Sequence, residues 1–162
     1  MTGMVFRKPG LPFKKEFSQD STSVVGAWKL ISFETRKGNE KAIYPFGRDA
    51  QGSIIYTDSG RFSVQIMRPD RPKFASGDQM KGTAGEIKAN YEGCVSYYGS
   101  YEFDRENGFI IHRVEGSLFP NWEGLGLKRF FEMSGNRLKL STPPTLWDGG
   151  ASVATLIWER IL

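Results

Sequence analysis

The chain has 162 residues, enough for one domain with one core, and 39% hydrophobic with 14% aromatic residues argues against disorder. Twenty-two Lys and Arg against 18 Asp and Glu give a net charge of +4 that is spread along the chain, so no basic stripe marks a nucleic-acid binder. A single cysteine excludes an internal disulfide, no Asn-x-Ser/Thr acceptor occurs, and no stretch approaches the length of a membrane span, which together suggest a cytoplasmic protein.

Residues 1–22 carry neither helical nor strand periodicity and read as an N-terminal arm, leaving 23–162 as the folded domain. Strand-like runs rich in β-branched and aromatic residues then follow at 24–36, 52–57, 61–67, 93–104, 108–115, 126–133, 137–142 and 152–160. Asp58-Ser59-Gly60, Arg105-Glu106-Asn107-Gly108 and Ser134-Gly135-Asn136 supply hairpin turn residues, so sequence neighbours should pair antiparallel. One segment differs. Thr83-Ala84-Gly85-Glu86 has the form of a capping box and leads into Ile87, Asn90 and Tyr91, which predicts a short helix over 83–92. Gly26-Ala27-Trp28 opens the first strand and Arg160 closes the last; an arginine stacked on an indole would fasten the two, giving an all-β, closed antiparallel barrel of eight or slightly more strands.

Alternation assigns some faces. Leu138 and Leu140 oppose Arg137 and Lys139; Val95, Tyr97, Tyr101 and Phe103 share a face; Leu127, Phe131 and Met133 share another, with Arg129 among them. Within 61–67, either Phe62, Val64 and Ile66 or Ser63, Gln65 and Met67 could face the lumen, because a one-residue slip reverses the pattern. The facing of His112 is equally open.

No dinucleotide fingerprint, P-loop, cysteine pair or His-rich cluster is present, so neither cofactor nor metal is expected. His112, the only histidine, is the natural acid/base candidate, though a strand histidine bonded to a neighbour is the plainer reading. Arg129 on an apolar face needs an anion or several acceptors; Glu115 could pair with it, or a ligand oxygen could. Tyr101 could assist in stabilising charge on such an oxygen. Tyr97 and Trp122 offer aromatic walls with polar tips, and Phe131, Met133, Gln65 and Tyr56 complete the candidate substrate surface.

Several segments carry a resemblance: Gly26-Ala27-Trp28, Tyr44-Pro45-Phe46-Gly47, the run from Gly52 to Met67, Phe74-Ala75-Ser76-Gly77-Asp78, and the run from His112 to Trp122. From about Val24 to Arg160 the chain resembles the lipocalin-like domain family of bacterial and fungal proteins. The resemblance implies a calycin-type barrel with the 112–122 segment beside the pocket. Lipocalin-like barrels in biosynthetic pathways serve as carriers, isomerases or cyclases, so it does not imply one reaction. Leu127 stands where the family pattern has Gln, which implies a less polar cavity.

The resulting expectation is a barrel that encloses a small hydrophobic, oxygenated metabolite and promotes a cofactor-free isomerisation, cyclisation or dehydration, with a non-catalytic carrier as the rival. Neither nucleic acid nor membrane is an expected partner, and a homodimer is left open.

Overall fold

The computed structural model describes residues 23–161, so the expected arm at 1–22 lies outside the described residues. The elements in chain order are β1 (Gly26–Arg36), β2 (Gln51–Tyr56), β3 (Arg61–Met67), α1 (Ala84–Glu92), β4 (Cys94–Asp104), β5 (Phe109–Ser117), a short 3-10 turn (Pro120–Trp122), β6 (Gly126–Ser134), β7 (Arg137–Ser141), β8 (Thr145–Trp147) and β9 (Gly150–Arg160). Each strand pairs antiparallel with its neighbour, and β9 pairs with both β7 and β1, closing an eight-stranded ring. The extra strand, β8, stands outside the ring as a hairpin on the start of β9.

Closure happens where the terminal motifs meet. Trp28 and Arg160 are register partners, and the guanidinium lies 4.1 Å from the indole centroid. Its nitrogens donate to the carbonyls of Val25 at 2.8 Å and Ser23 at 2.6 Å, which ties the last strand to the chain entering the first. Gly26 permits this arrangement, since a Cβ there would sit 2.8 Å from Arg160 Nη1 and its φ of +136° disfavours a side chain.

Two bulges set which side chains enter the barrel. In β1 the register shifts between Leu30 and Ser32, so Trp28, Leu30, Phe33 and Thr35 are all buried although simple alternation would have turned Phe33 outward. Between β4 and β5, Tyr98 pairs with Gly116 and Gly99 with Val114, leaving Glu115 as the unpaired residue. A Cβ on Gly99 would lie 1.9 Å from the Arg113 carbonyl oxygen, so only glycine fits that bulge.

The open choice in β3 resolves toward Phe62, Val64 and Ile66, which are buried. The helix begins at the expected capping box, with Thr83 accepting from Glu86 N and Glu86 returning a bond to Thr83 N at 2.7 Å. It packs no buried residue, however, and Ile87 and Tyr91 remain exposed. It closes the connection before β4 through Asn90, which donates to the Pro72 carbonyl at 2.8 Å.

Candidate functional site

One half of the barrel is solid and the other is hollow. Trp28, Tyr56, Phe62, Tyr101, Ile110 and Leu138 fill the half in which β1 begins. Toward the other end lies a cavity of about 260 Å³ whose walls include Phe33, Ile54, Val64, Tyr97, Leu127 and Trp158, with Trp122 and Trp147 also contributing. A dry cavity of about 150 Å³ accepts benzene. The space therefore has room for at least one substituted ring.

The polar part of the wall is a chain of four side chains from four strands. His112 is fully buried in the middle of β5, stacked on Phe62 at 4.1 Å between centroids with an interplanar angle of 16°. Its Nε2 lies 2.7 Å from Tyr56 Oη and its Nδ1 lies 3.3 Å from Tyr97 Oη. Arg129 Nη2 donates to Tyr97 Oη at 3.3 Å, and Nη1 donates to the Lys128 carbonyl at 2.9 Å.

Hydrogen-bond accounting assigns the protons. Tyr56 is fully buried, and its hydroxyl meets His112 Nε2 and no other acceptor among the described residues, so it donates to Nε2. Neutral His112 then carries its proton on Nδ1 and donates it to Tyr97 Oη. That oxygen also receives Arg129, which leaves the Tyr97 O–H proton available to an acceptor in the cavity.

The electrostatics agree. Burial, and then the nearby Arg129 charge, hold His112 well below the usual imidazole value, so it is neutral near pH 7. Burial likewise pushes the Tyr56 phenol well above its ordinary value, with Tyr97 adding to the rise and Arg129 opposing it. Among the described residues no acidic side chain lines the cavity, whereas Lys128 and Arg129 do.

The expected site residues thus separate into groups. Tyr97, His112, Trp122 and Arg129 come together on the cavity wall, with Trp122 edge-on to Tyr97 at 5.3 Å between centroids. Tyr56 supports His112 from behind. Tyr101 lies in the filled half, where its hydroxyl donates to the Thr57 carbonyl at 2.8 Å and burial pushes its pKa up to about 12. Phe131 and Met133 share the inward face of β6 and pack against the core, Phe131 at 4.7 Å from Phe103, but are not among the cavity-lining side chains.

Two expectations need correction. Glu115 does not pair with Arg129: the alternation of β5 puts it on the outer face, opposite the buried His112 and Val114, where Arg61 holds it at 2.7 Å and lowers its pKa. Gln65 faces outward because its neighbours Val64 and Ile66 take the lumen, and it donates to Ser63 Oγ at 2.8 Å. His112, for its part, offers a ligand no unoccupied ring nitrogen; any exchange of protons with the cavity passes through Tyr97.

Sequence reasoning overlooked the wall formed by Phe33, Trp147, Ser152 and Trp158. The β9 residues were legible, because Ser152, Ala154, Leu156 and Trp158 alternate on one face of a recognised strand. Trp147 was harder, since it sits in a three-residue strand that follows Pro143-Pro144.

Comparison with known proteins agrees with this architecture. The 4'-hydroxy-3'-methoxypropiophenone carrier protein ppsC of Aspergillus oryzae is 30% identical over 106 residues, spanning 61% of this chain and 96% of that protein. No solved structure matches the chain significantly. The family model described as a lipocalin-like domain matches residues 25–161, covering the whole ring from the closure motif at Trp28 to that at Arg160, and the chain belongs to that lipocalin-like domain family.

Proposed function

We propose that this protein binds and carries a small, single-ring, hydrophobic metabolite bearing oxygen. The observation that carries the reading is the largely apolar cavity of about 260 Å³ whose wall presents Tyr97 and Arg129 with, among the described residues, no acidic lining residue to occupy them. A ligand phenol or enol oxygen would accept from the Tyr97 hydroxyl and lie close to the Arg129 guanidinium, and the apolar walls would hold the ring. The relative named as a carrier of a methoxylated hydroxyphenyl ketone supports the same ligand class.

The test is calorimetric titration with 4'-hydroxy-3'-methoxypropiophenone, followed by recovery of the compound. The carrier reading expects saturable one-to-one binding, unaltered ligand on recovery, and about tenfold weaker binding in Tyr97→Phe and in Arg129→Met. Absence of binding, or unchanged affinity in both variants, refutes it.

A second reading is a cofactor-free isomerisation, cyclisation or dehydration, favoured by the continuous chain Tyr56–His112–Tyr97 that ends at the cavity. In that case His112→Gln would retain binding and lose turnover, with Tyr97 as the group that meets the substrate. Recovery of unaltered ligand from the wild-type protein removes this alternative for the compound tested.

A further inference from the structure

The polar side chains of the cavity wall offer donors and a positive charge but no free acceptor. Tyr97 Oη already accepts one N–H from His112 and one from Arg129, and keeps its own proton to give. Both ring nitrogens of His112 are bonded to tyrosine hydroxyls, and a guanidinium only donates. A neutral hydroxyl brought here would carry a proton that none of Tyr97, His112 and Arg129 can accept. A deprotonated oxygen has no proton to place.

The charge has the same preference. Arg129 is half-buried, lines the cavity, and directs its Nη1 and Nη2 to two neutral oxygens, those of the Lys128 carbonyl and Tyr97. None of the ion pairs among the described residues includes it. Its Nε has no partner among the described residues, yet it is not one of the sealed partnerless atoms, which are Ser152 Oγ and Trp158 Nε1, so it borders open space. Since the same guanidinium touches Tyr97 on the cavity wall, that space is the hollow.

The other cationic lining residue is engaged elsewhere. Lys128 holds its ammonium 4.1 Å from the Phe109 ring centroid and 5.1 Å from that of the exposed Phe130, on the outer side of β6. The titratable side chains around the polar wall are then Tyr56 from β2, Tyr97 from β4, His112 from β5, and Lys128 and Arg129 from β6; among the described residues, β1, β3, β7 and β9 contribute none to the lining. A half-buried cation without a counter-ion is costly until an anion joins it.

Resting on the binding role proposed above, we infer that the site takes its ligand as an anion: an acidic phenol or enol whose deprotonated oxygen sits against Tyr97 Oη and the Arg129 guanidinium. When the free ligand is protonated, its O–H bond breaks on binding and the proton leaves to water, because the wall has no group to keep it. The ligand class is thereby narrowed to hydroxyls conjugated with a carbonyl, which are acidic enough to ionise, and excludes plain alcohols, ethers and ketones.

The experiment uses the full chain and two probes: 4'-hydroxy-3'-methoxypropiophenone, whose phenolate absorbs at longer wavelength than its phenol, and its 4'-O-methyl ether, which cannot ionise. With saturating wild-type protein, the bound phenol should titrate at least one pH unit below the free compound, as an opposite charge in contact requires. Affinity should rise about tenfold per pH unit between the bound and free pKa values and level off above them, and the methyl ether should bind at least tenfold more weakly at every pH. Arg129→Met should return the bound titration to the free value and Arg129→Lys should restore a drop, while Tyr97→Phe should bind more weakly yet keep the phenolate spectrum. The wild-type spectrum is a readout that needs no variant to fold.

A bound compound that keeps the phenol spectrum, a bound pKa at or above the free one, a methyl ether that binds as tightly as the phenol, or a drop that survives in Arg129→Met overturns the assignment. Those results leave the carrier role standing, because binding persists. Failure of wild type to bind either probe overturns both.

Discussion

Lowering the pH from 7.5 to 5.5 should measurably destabilise this barrel, through one residue. His112 is the sole histidine, so no other imidazole titrates in that window. In the folded protein, burial and the Arg129 charge hold its pKa well below the ordinary value, whereas in the unfolded chain it takes a proton at about pH 6.5. The unfolded state thus binds more protons than the folded state as pH falls, and unfolding free energy falls with it. Stability is complete above about pH 7 and declines below 6.5, at about 1.4 kcal/mol per pH unit until the folded pKa is reached. Between pH 7.5 and 5.5 the loss is about 1.4 kcal/mol, equivalent to about 3–6 °C in Tm for a chain of this size. Carboxylates held low by partners, such as Glu102 beside Arg113, respond only at more acidic pH. Urea unfolding at half-unit pH intervals reads the slope, and His112→Asn should flatten it even while lowering the plateau. A wild-type profile flat across this window, or a slope that survives in the variant, would refute the buried, neutral imidazole and with it the proton assignment at Tyr97.

Replacing Arg160 with Leu should remove the stack on Trp28 and two charge-assisted bonds to Val25 and Ser23, costing about 2–4 kcal/mol in urea unfolding; a loss under 1 kcal/mol would show that closure does not depend on it. Gly99→Ala should unfold the barrel or lower its stability by about 3 kcal/mol or more, because the new methyl meets the Arg113 carbonyl oxygen at 1.9 Å; near-wild-type melting would mean the bulge can relax. Glu115→Gln should leave both Tm and ligand affinity unchanged, since the carboxylate pairs with Arg61 on the outer surface, and an affinity change would place it in the site after all.

The closed antiparallel barrel could be read from the chain, because the signals that specify it are local. Period-two alternation with Gly and Asn turns defined hairpins, Thr83 and Glu86 capped a helix within a residue of the expected start, and Gly26, Trp28 and Arg160 marked the seam. Tyr97, His112, Trp122 and Arg129, which all line the cavity, could also be picked out as candidates, since polar and aromatic residues on apolar strands are few.

What tertiary structure decided was direction and partnership. Alternation could not choose the inward face of β3, and it failed where a bulge shifted the count, as at Phe33. The pairing of Tyr56 with His112 joins residues 56 positions apart, and the place of Trp158 in the cavity wall depends on β9 closing against β1. Strand periodicity is a property of neighbours along the chain, whereas the hollow is bounded by residues that meet only after the sheet has rolled shut. For that reason the sequence could name part of the cavity wall but not the contacts that form across it.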